Sequence, residues 1–290
     1  MSDAMGSILT SPGRILWPDI GLTKQGLLDY YEAVWPWMEP HLINRPIALL
    51  RCPQGIDSEC FFQKHASQSL PAGLRTVTLD EANAAAPVID DFAGLAGLVQ
   101  LSALELHLWS APASNIEHPD QLIFDLDPDP GIPWKSVIKA ALLIKEEIEN
   151  MKLSPFAKTS GGKGLHVIAP LDGTTEWEEI RQFAQGFSKK LAEENPQLLT
   201  ARSAKDEREG RIFLDYLRNG RGTTSIATYC PRARKGAPVA TPILWEEVEA
   251  GIMPNAFNVS NLPDRLKSMQ QDPWHGFDAA RRALPRQDFA

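Results

Sequence analysis

LIFDLDPDP, residues 122–130, closes an apolar run on two carboxylates one residue apart. Side chains on a strand alternate between two faces. Leu122, Phe124 and Leu126 therefore share one face, and Ile123, Asp125 and Asp127 share the other. Pro128 has no amide hydrogen and ends the ladder. From the strand rise, the Cα atoms of Asp125 and Asp127 are roughly 6–7 Å apart. Both ionised, they repel unless a cation sits between them. Hard oxygen ligands of this kind suit Mg²⁺ or Mn²⁺. A solvated strand end that turns at Asp129 and Pro130 is the plainer account of the same stretch, so the rest of the chain has to decide.

The chain has 290 residues, 43% of them hydrophobic, enough for one large domain or two small ones. No apolar run reaches membrane-span length and no secretory leader opens the chain, so no membrane partner is expected. Residues 1–7, MSDAMGS, are set aside as an unstructured leader, and residues 8–290 are read as a single domain. Cys52, Cys60 and Cys230 show neither zinc-ligand spacing nor a disulfide framework. Each is read as a small buried hydrophobe in a reducing, cytoplasmic setting. The net charge of −8 argues against a nucleic-acid partner only as a sum. Between Arg202 and Lys235, nine Lys or Arg stand against four Asp or Glu, a net +5 that leaves −13 elsewhere. An acidic body with one basic stripe suits local phosphate binding, and a solvated charge-rich loop accounts for the same composition.

Strands and helices alternate without strict βαβ regularity. Thr23 is an N-cap for the helix in KQGLLDYYEAVWPWM, which Pro36 is expected to end or kink. IALLRCP from Ile47, Arg75–Leu79, 103–109 (ALELHLW) and RIFLDY read as strands, and residues 80–100 as mainly helical. Residues 133–151 form a helix with Val137, Ala141, Ile144, Ile148 and Met151 on one face. PFAKTS and LHVIAP flank a glycine-rich turn, and Thr175 with Glu178 resembles a capping box opening a further helix. WEEVEAG is a short helix, and the Pro-, Gln- and Arg-rich tail wraps the surface. The pattern predicts one α/β (α+β) domain with mixed or antiparallel sheets.

Four further stretches can carry chemistry. SGGKGLH, from Ser160 to His166, lacks Walker A spacing but puts backbone amides, the Ser160 hydroxyl and Lys163 close together, as in an anion nest. Asp215, in RIFLDYLRN, is a carboxylate on an otherwise apolar strand, which needs a partner such as Arg218 or a metal. Arg232 and Arg234 alternate onto one face and can clamp a triphosphate. ECFFQKH sets Phe61 and Phe62 beside Lys64 in a polar, basic stretch that suits base stacking.

Together these stretches resemble the polymerase domain of bacterial ligase D, the primase-like module of bacterial non-homologous end joining, within the archaeo-eukaryotic primase superfamily. The resemblance runs from SPGRILWPD at residue 11 to the tail. It rests on GLTK (21–24), RCPQG with FFQKH (51–65), LELHLW (104–109), FDLDPDP (124–130), KTSGGKGLHV (158–167), FLDYLRN (213–219) and PRARKGAPVATP (231–242), in that order. It implies a primase-like fold whose sheets form a central cleft flanked by helices. It implies that Asp125, Asp127 and Asp215 bind two divalent ions, Mn²⁺ or Mg²⁺, and carry catalysis. Ser160, Lys163, His166, Arg232, Arg234, His107 and Arg218 would bind the incoming NTP or dNTP. Phe61, Phe62 and Lys64 would meet DNA, with Lys24 on the surface that recognises a downstream 5′-phosphate. The implied activity is templated gap-filling and end extension with ribonucleotides preferred, in the bacterial cytoplasm at the nucleoid, with Ku and a ligase module as partners. No K-x-D-G adenylation motif is present, since LDG at 171–173 has no Lys two positions before its Asp, so nick sealing is not expected of this chain.

Two other classes fit parts of the pattern. A catalytically silent module that binds DNA ends and recruits a ligase or Ku needs only the 5′-phosphate surface and the Phe pair. A haloacid-dehalogenase-like phosphatase also places Asp-x-Asp after an apolar strand, but expects Thr or Val soon after the second Asp, where this chain has Pro128-Asp129-Pro130.

Overall fold

The computed structural model describes residues 9–66, 70–79, 84–286 and 289. The leader at residues 1–7 lies outside them. The chain divides into two compact units, one holding residues 1–109, 226–240 and 257–270, the other residues 110–225, 241–256 and 271–290. Each unit is assembled from separated stretches. The boundary therefore carries no linker composition that a sequence reading could find.

In the first unit, β1 (Ile15–Trp17) and β2 (Leu22–Thr23) form a small hairpin that feeds helix α1 (Lys24–Leu42). Thr23 caps that helix as expected, its Oγ1 accepting from Gly26 N at 3.1 Å. The helix runs through Pro36 and Pro40 instead of ending there. Its Val34, Met38 and Leu42 are fully buried, so packing offsets the backbone bonds the prolines remove. β3 (Ile47–Arg51) pairs antiparallel with β4 (Phe61–Gln63) on one side and β7 (Ala103–Leu108) on the other, within a four-stranded sheet. β5 (Leu74–Thr78) pairs with β6 (Ala85–Ile89), and α2 (Phe92–Gln100) follows. The helical expectation for residues 80–100 therefore holds only from Phe92 onward. Residues 80–83 lie outside the description, and the APVI run pairs as a strand before Asp91 caps α2 through Gly94 N.

Cys52 and Cys60 are joined in a disulfide, contrary to the reading of two separate buried hydrophobes. They flank the β3–β4 connection, and strand pairing brings their Cα atoms to 4.4 Å. Cys230 is the buried hydrophobe the sequence suggested. Burial pushes its thiol up to about 12.

The second unit is built on a six-stranded sheet. Its strands are β8 (Gln121–Pro128), β9 (Phe156–Thr159), β10 (Leu165–Pro170), β11 (Leu199–Thr200), β12 (Ile212–Asp215) and β14 (Pro242–Ile243), where β13 (Ser225–Ile226) belongs to the other sheet. The spatial order is β11-β12-β8-β10-β9-β14, antiparallel throughout except for the β11–β12 edge. β8 ends at Pro128, as its missing donor requires.

Helices α3 (Trp134–Asn150) and α4 (Trp177–Glu194) pack on this sheet. Phe124 meets Phe187 of α4 with ring centroids 4.6 Å apart, so the Leu122–Phe124–Leu126 face lies under helix. On α3 the buried residues are Val137, Ala140, Ala141, Ile144 and Ile148, with Met151 outside the helix as its cap. Glu176, not Thr175, stands at the N-cap of α4 and caps it with no side-chain bond, and the Glu178 carboxylate is taken by Arg181. On the other face of β8, Ile123 packs against Ile168, Trp274 and Phe277, so the tail contributes core as well as surface. That cover leaves the Asp125–Asp127 end of the strand as the polar end. Short helices α5 (Trp245–Glu249) and α6 (Leu262–Ser268) complete the described elements. No helix among the described residues is long and apolar enough to cross a membrane.

Candidate active site

Strand register builds the polar end of the second unit's sheet. Asp215 on β12 lies directly opposite Asp125 on β8, and His166 on β10 lies opposite Asp125 from the other side. Lys158 on β9 lies opposite His166. Residues directly opposite one another share a face, so Asp215, Asp125, His166 and Lys158 form one row across four strands. The side chains interact accordingly. His166 Nε2 is 3.5 Å from Asp125 Oδ1. Arg218 Nε lies 3.1 Å from Asp215 Oδ2 and 3.7 Å from Asp125 Oδ2. Asp127, two residues along, turns outward and receives Arg208 Nη1 at 2.8 Å. That guanidinium also lies over the Phe213 ring, 4.0 Å from its centroid.

Asp215 is 7% exposed. Burial pushes its carboxyl above the usual carboxylate range, while the Arg218 guanidinium and the Leu217 amide pull it back down. A cation at this position stabilises the ionised form, and Arg218 provides one. Among the described residues no three His, Cys, Asp or Glu side chains are gathered into a ready metal cage. The reason is visible in the pairing: Asp127 faces Arg208, and Arg218 holds the place between Asp125 and Asp215. The donor set still fits a hard divalent ion in its chemistry, with three carboxylates on adjacent strands. Occupation requires the two guanidinium groups to yield.

The glycine-rich turn joins β9 to β10. Ser160 Oγ accepts from Gly162 N at 3.2 Å and Gly164 N at 3.1 Å, so these amides point into the turn. The Ser160 hydroxyl and the amides do lie together, as the sequence suggested, but two of the amides are taken up within the turn, and Ser160 itself is buried. Lys163 is exposed at the tip and His166 is 3% exposed at the base. Gly164 backs onto β8: a Cβ there would lie 2.0 Å from Leu126 O. Only glycine allows this approach, which seats the turn next to Asp125.

The first unit holds a second polar cluster. Glu105 and His107 alternate onto one face of β7, and Leu50 brings Phe62 onto that face from β4. Glu105 accepts from His107 Nε2 at 2.8 Å and Ala233 N at 2.8 Å, and its Oε1 is 3.1 Å from Arg232 Nε. Phe62 is 57% exposed and meets the His107 ring edge-on at 5.2 Å. Phe61 is also exposed, with Arg51 over its ring at 5.3 Å, and Lys64 is exposed. Arg232 and Arg234 do not share a face, because residues 232–236 form a turn. Arg232 turns in to Glu105, whereas Arg234 is exposed. Lys24 is not on an open surface either. It is 3% exposed, and its Nζ donates to Thr10 O at 3.1 Å and Gln100 O at 3.0 Å. Burial, helped by Arg14, lowers its pKa.

A family model described as the LigD primase-polymerase domain matches residues 23–274. The chain belongs to the LigD primase-polymerase family. The multifunctional non-homologous end joining protein LigD of Pseudomonas aeruginosa is 37% identical over 282 residues, which are 96% of this chain and 34% of that protein. The bifunctional non-homologous end joining protein LigD of Bacillus subtilis is 29% identical over 261 residues, 89% of this chain and 42% of that protein. The chain thus spans between a third and a half of these relatives. The polymerase domain of Mycobacterium tuberculosis ligase D, solved in complex with DNA, superposes with a TM-score of 0.87 at 29% identity, covering 94% of this chain and 98% of that one. The expected primase-like α/β fold with antiparallel sheets is the fold observed, and the family replaces the phosphatase reading. Three residues without an expected role stand in the clusters: Glu105, Arg208 and Lys158. The alternation of ALELHLW already placed Glu105 on the face of His107. Arg208 was visible only as one charge in a basic stripe, and Lys158 only as a letter of KTSGGKG.

Proposed function

We propose that this chain is a template-directed nucleotidyltransferase that fills gaps and extends DNA ends in bacterial non-homologous end joining, using ribonucleotides in preference to deoxyribonucleotides. The observation that carries this reading is the cross-strand row of Asp215, Asp125 and His166, with Asp127 on the same strand, in a chain of the LigD primase-polymerase family. The reaction joins a primer 3′-oxygen to the α-phosphorus of a nucleoside triphosphate, breaks the α–β phosphoanhydride bond and releases pyrophosphate. Asp125, Asp127 and Asp215 are the residues to hold two Mn²⁺ or Mg²⁺ ions. When bound, these ions supply activation of the 3′-oxygen and charge for the departing pyrophosphate. The chain's own part is positioning and electrostatics. His166 and Lys163 hold phosphates beside the carboxylates, with Ser160 shaping the turn that presents them. Arg218 and Arg208, which now pair with the carboxylates, would be the cations available to substrate phosphates where divalent ions took their place. His107, Arg232 and Arg234 bind the nucleotide. Phe61 and Phe62 stack on bases, with Lys64 near the backbone; Lys24, buried against Thr10 O and Gln100 O, braces the segment expected to meet a 5′-phosphate. Ku and a ligase module, in cis or in trans, are the matching partners.

Primer extension on a gapped duplex with a downstream 5′-phosphate tests this reading. Mn²⁺ or Mg²⁺ is supplied with ribo- or deoxyribonucleotides, and Asp125→Ala runs beside the wild type. Templated extension lost in the variant is the expected result; equal extension by both proteins overturns the assignment. One observation favours a second reading, a silent DNA-end-binding module: each carboxylate has a cationic or imidazole partner within the chain. Tight, salt-dependent binding without extension under any metal selects it.

A further inference from the structure

We infer that Glu105 is a positioning residue that sets the orientation of His107 and Arg232 for the incoming nucleoside triphosphate, an inference that rests on the nucleotidyltransferase reading. Glu105 is 3% exposed and lies on β7, an inner strand of its four-stranded sheet. A carboxylate so placed is costly unless every donor around it is well directed. Here two donors and one cation converge: the imidazole of His107 and the amide of Ala233 donate to the carboxylate, and the guanidinium of Arg232 stands 3.1 Å from it as a counter-charge. They come from two separate segments, β7 and the 232–236 turn. One buried charge thus fixes an aromatic base, a cation and the backbone that carries the cation.

The orientation follows from donor and acceptor rules. An ionised carboxylate only accepts, so His107 Nε2 must carry the proton it gives to Glu105. That assigns the ring's tautomer and leaves Nδ1 as the nitrogen that Glu105 does not engage. The fixed ring also backs Phe62 edge-to-face. Arg232 is held by charge: its Nε lies 3.1 Å from Glu105 Oε1 without a hydrogen bond at that nitrogen, and the carboxylate keeps the guanidinium beside the 232–236 segment. Burial opposes the charge on Glu105, yet its partners together hold the carboxyl at about 2. It therefore stays an acceptor across the working pH range.

A buried ion pair is by itself weak support for stability, since an apolar replacement is often neutral. Glu105→Gln keeps the shape, but its amide nitrogen faces another donor, forcing His107 to turn or change tautomer. The expected result in extension assays is a rise of roughly tenfold in KM for ATP opposite template dT, with kcat within about threefold. In a His107→Ala, Arg232→Ala background the same substitution changes KM by less than about twofold, because nothing remains to orient. Equilibrium binding of ATP with Mn²⁺ gives the same ranking without turnover, so the inference is tested even where the nucleotidyltransferase reading fails. Imidazole ¹⁵N spectra give a signature that a purely structural role does not move: a protonated His107 Nε2 in the wild type, and loss of that fixed tautomer in Glu105→Gln. Should Glu105→Gln not fold, Glu105→Asp, which keeps the charge and withdraws it by one methylene, reports the same KM effect. Unchanged KM and ATP binding in a folded variant overturn the inference. So does an equal effect in the His107→Ala, Arg232→Ala background.

Discussion

Asp125 and Asp215 face each other across neighbouring antiparallel strands, and Arg218 bridges them, its Nε 3.7 Å from one carboxylate and 3.1 Å from the other. The guanidinium compensates a pair of like charges, one of them on a nearly buried side chain. A divalent ion bound by the same oxygens competes with it. Arg218→Met is therefore expected to bind Mn²⁺ roughly tenfold more tightly than the wild type, about 1.4 kcal/mol. Mn²⁺-induced thermal shifts measure this directly. Asp125→Asn should lose the shift. Weaker binding in Arg218→Met would show that Arg218 assists the ion instead of standing in for it.

Gly164 closes its turn against β8 with no room for a methyl group. Gly164→Ala must push Leu126 O or the turn aside, a strain of about 1–3 kcal/mol on the usual cost of overpacking. The turn also sets His166 beside Asp125. Urea unfolding should show the loss of stability, and extension should fall with it. A variant as stable and active as the wild type would mean that β8 and the turn can separate freely.

Much of this site was legible in the sequence because it depends on period-two alternation. LIFDLD assigned Asp125 and Asp127 to one face, and FLDYLR suggested the Asp215–Arg218 pair, which the structure contains. Two features were not legible. Strand register is set by pairing between distant segments, so the row from Asp215 to Lys158 could not be read from any one of them. Side chains that turn inward were also hidden. Lys24 sits at a helix start where an exposed phosphate ligand was expected, but two carbonyl groups draw its ammonium in. The β3–β4 connection hid the Cys52–Cys60 bond in the same way, since eight residues of separation say nothing until the hairpin forms.

Phe62 is more than half exposed on an edge strand and backed by His107. Such a ring has little to lose from folding and a base to gain. Phe62→Ala should weaken binding to gapped duplex by about 1–3 kcal/mol, the usual worth of one base–aromatic stack. The salt dependence should not change, because no phosphate contact is removed. Fluorescence anisotropy at two salt concentrations separates these quantities, and an altered slope would relocate the effect to the backbone contacts.

The Cys52–Cys60 bond closes the loop that leads directly into Phe61 and Phe62. Chain-entropy arguments for so short a loop give about 2–3 kcal/mol in favour of the bonded form. Reduction, or the Cys52→Ser, Cys60→Ser double variant, should lower unfolding stability by up to that amount. Hydrogen exchange should quicken first in residues 61–63. Identical stability with and without reductant would show that pairing of β3 with β4 suffices to hold the loop.

Glu105 gives a pH prediction with a defined sign. Its partners hold the folded carboxyl at about 2, against 4.5 for an ordinary glutamate in the unfolded chain. Between these values the unfolded state binds more protons, so stability rises with pH. The contribution, on the order of 3 kcal/mol, is fully present above about pH 4.5. It fades as the pH falls toward 2, where the folded carboxyl is finally protonated. Glu105→Gln has no charge to titrate there. The difference in unfolding free energy between wild type and Glu105→Gln should thus shrink steadily as the pH falls below about 4.5. Urea titrations at half-unit steps down to pH 3 are enough to see the slope. A difference that stays constant through that window would mean that His107, Arg232 and the Ala233 amide do not act on Glu105 through its charge.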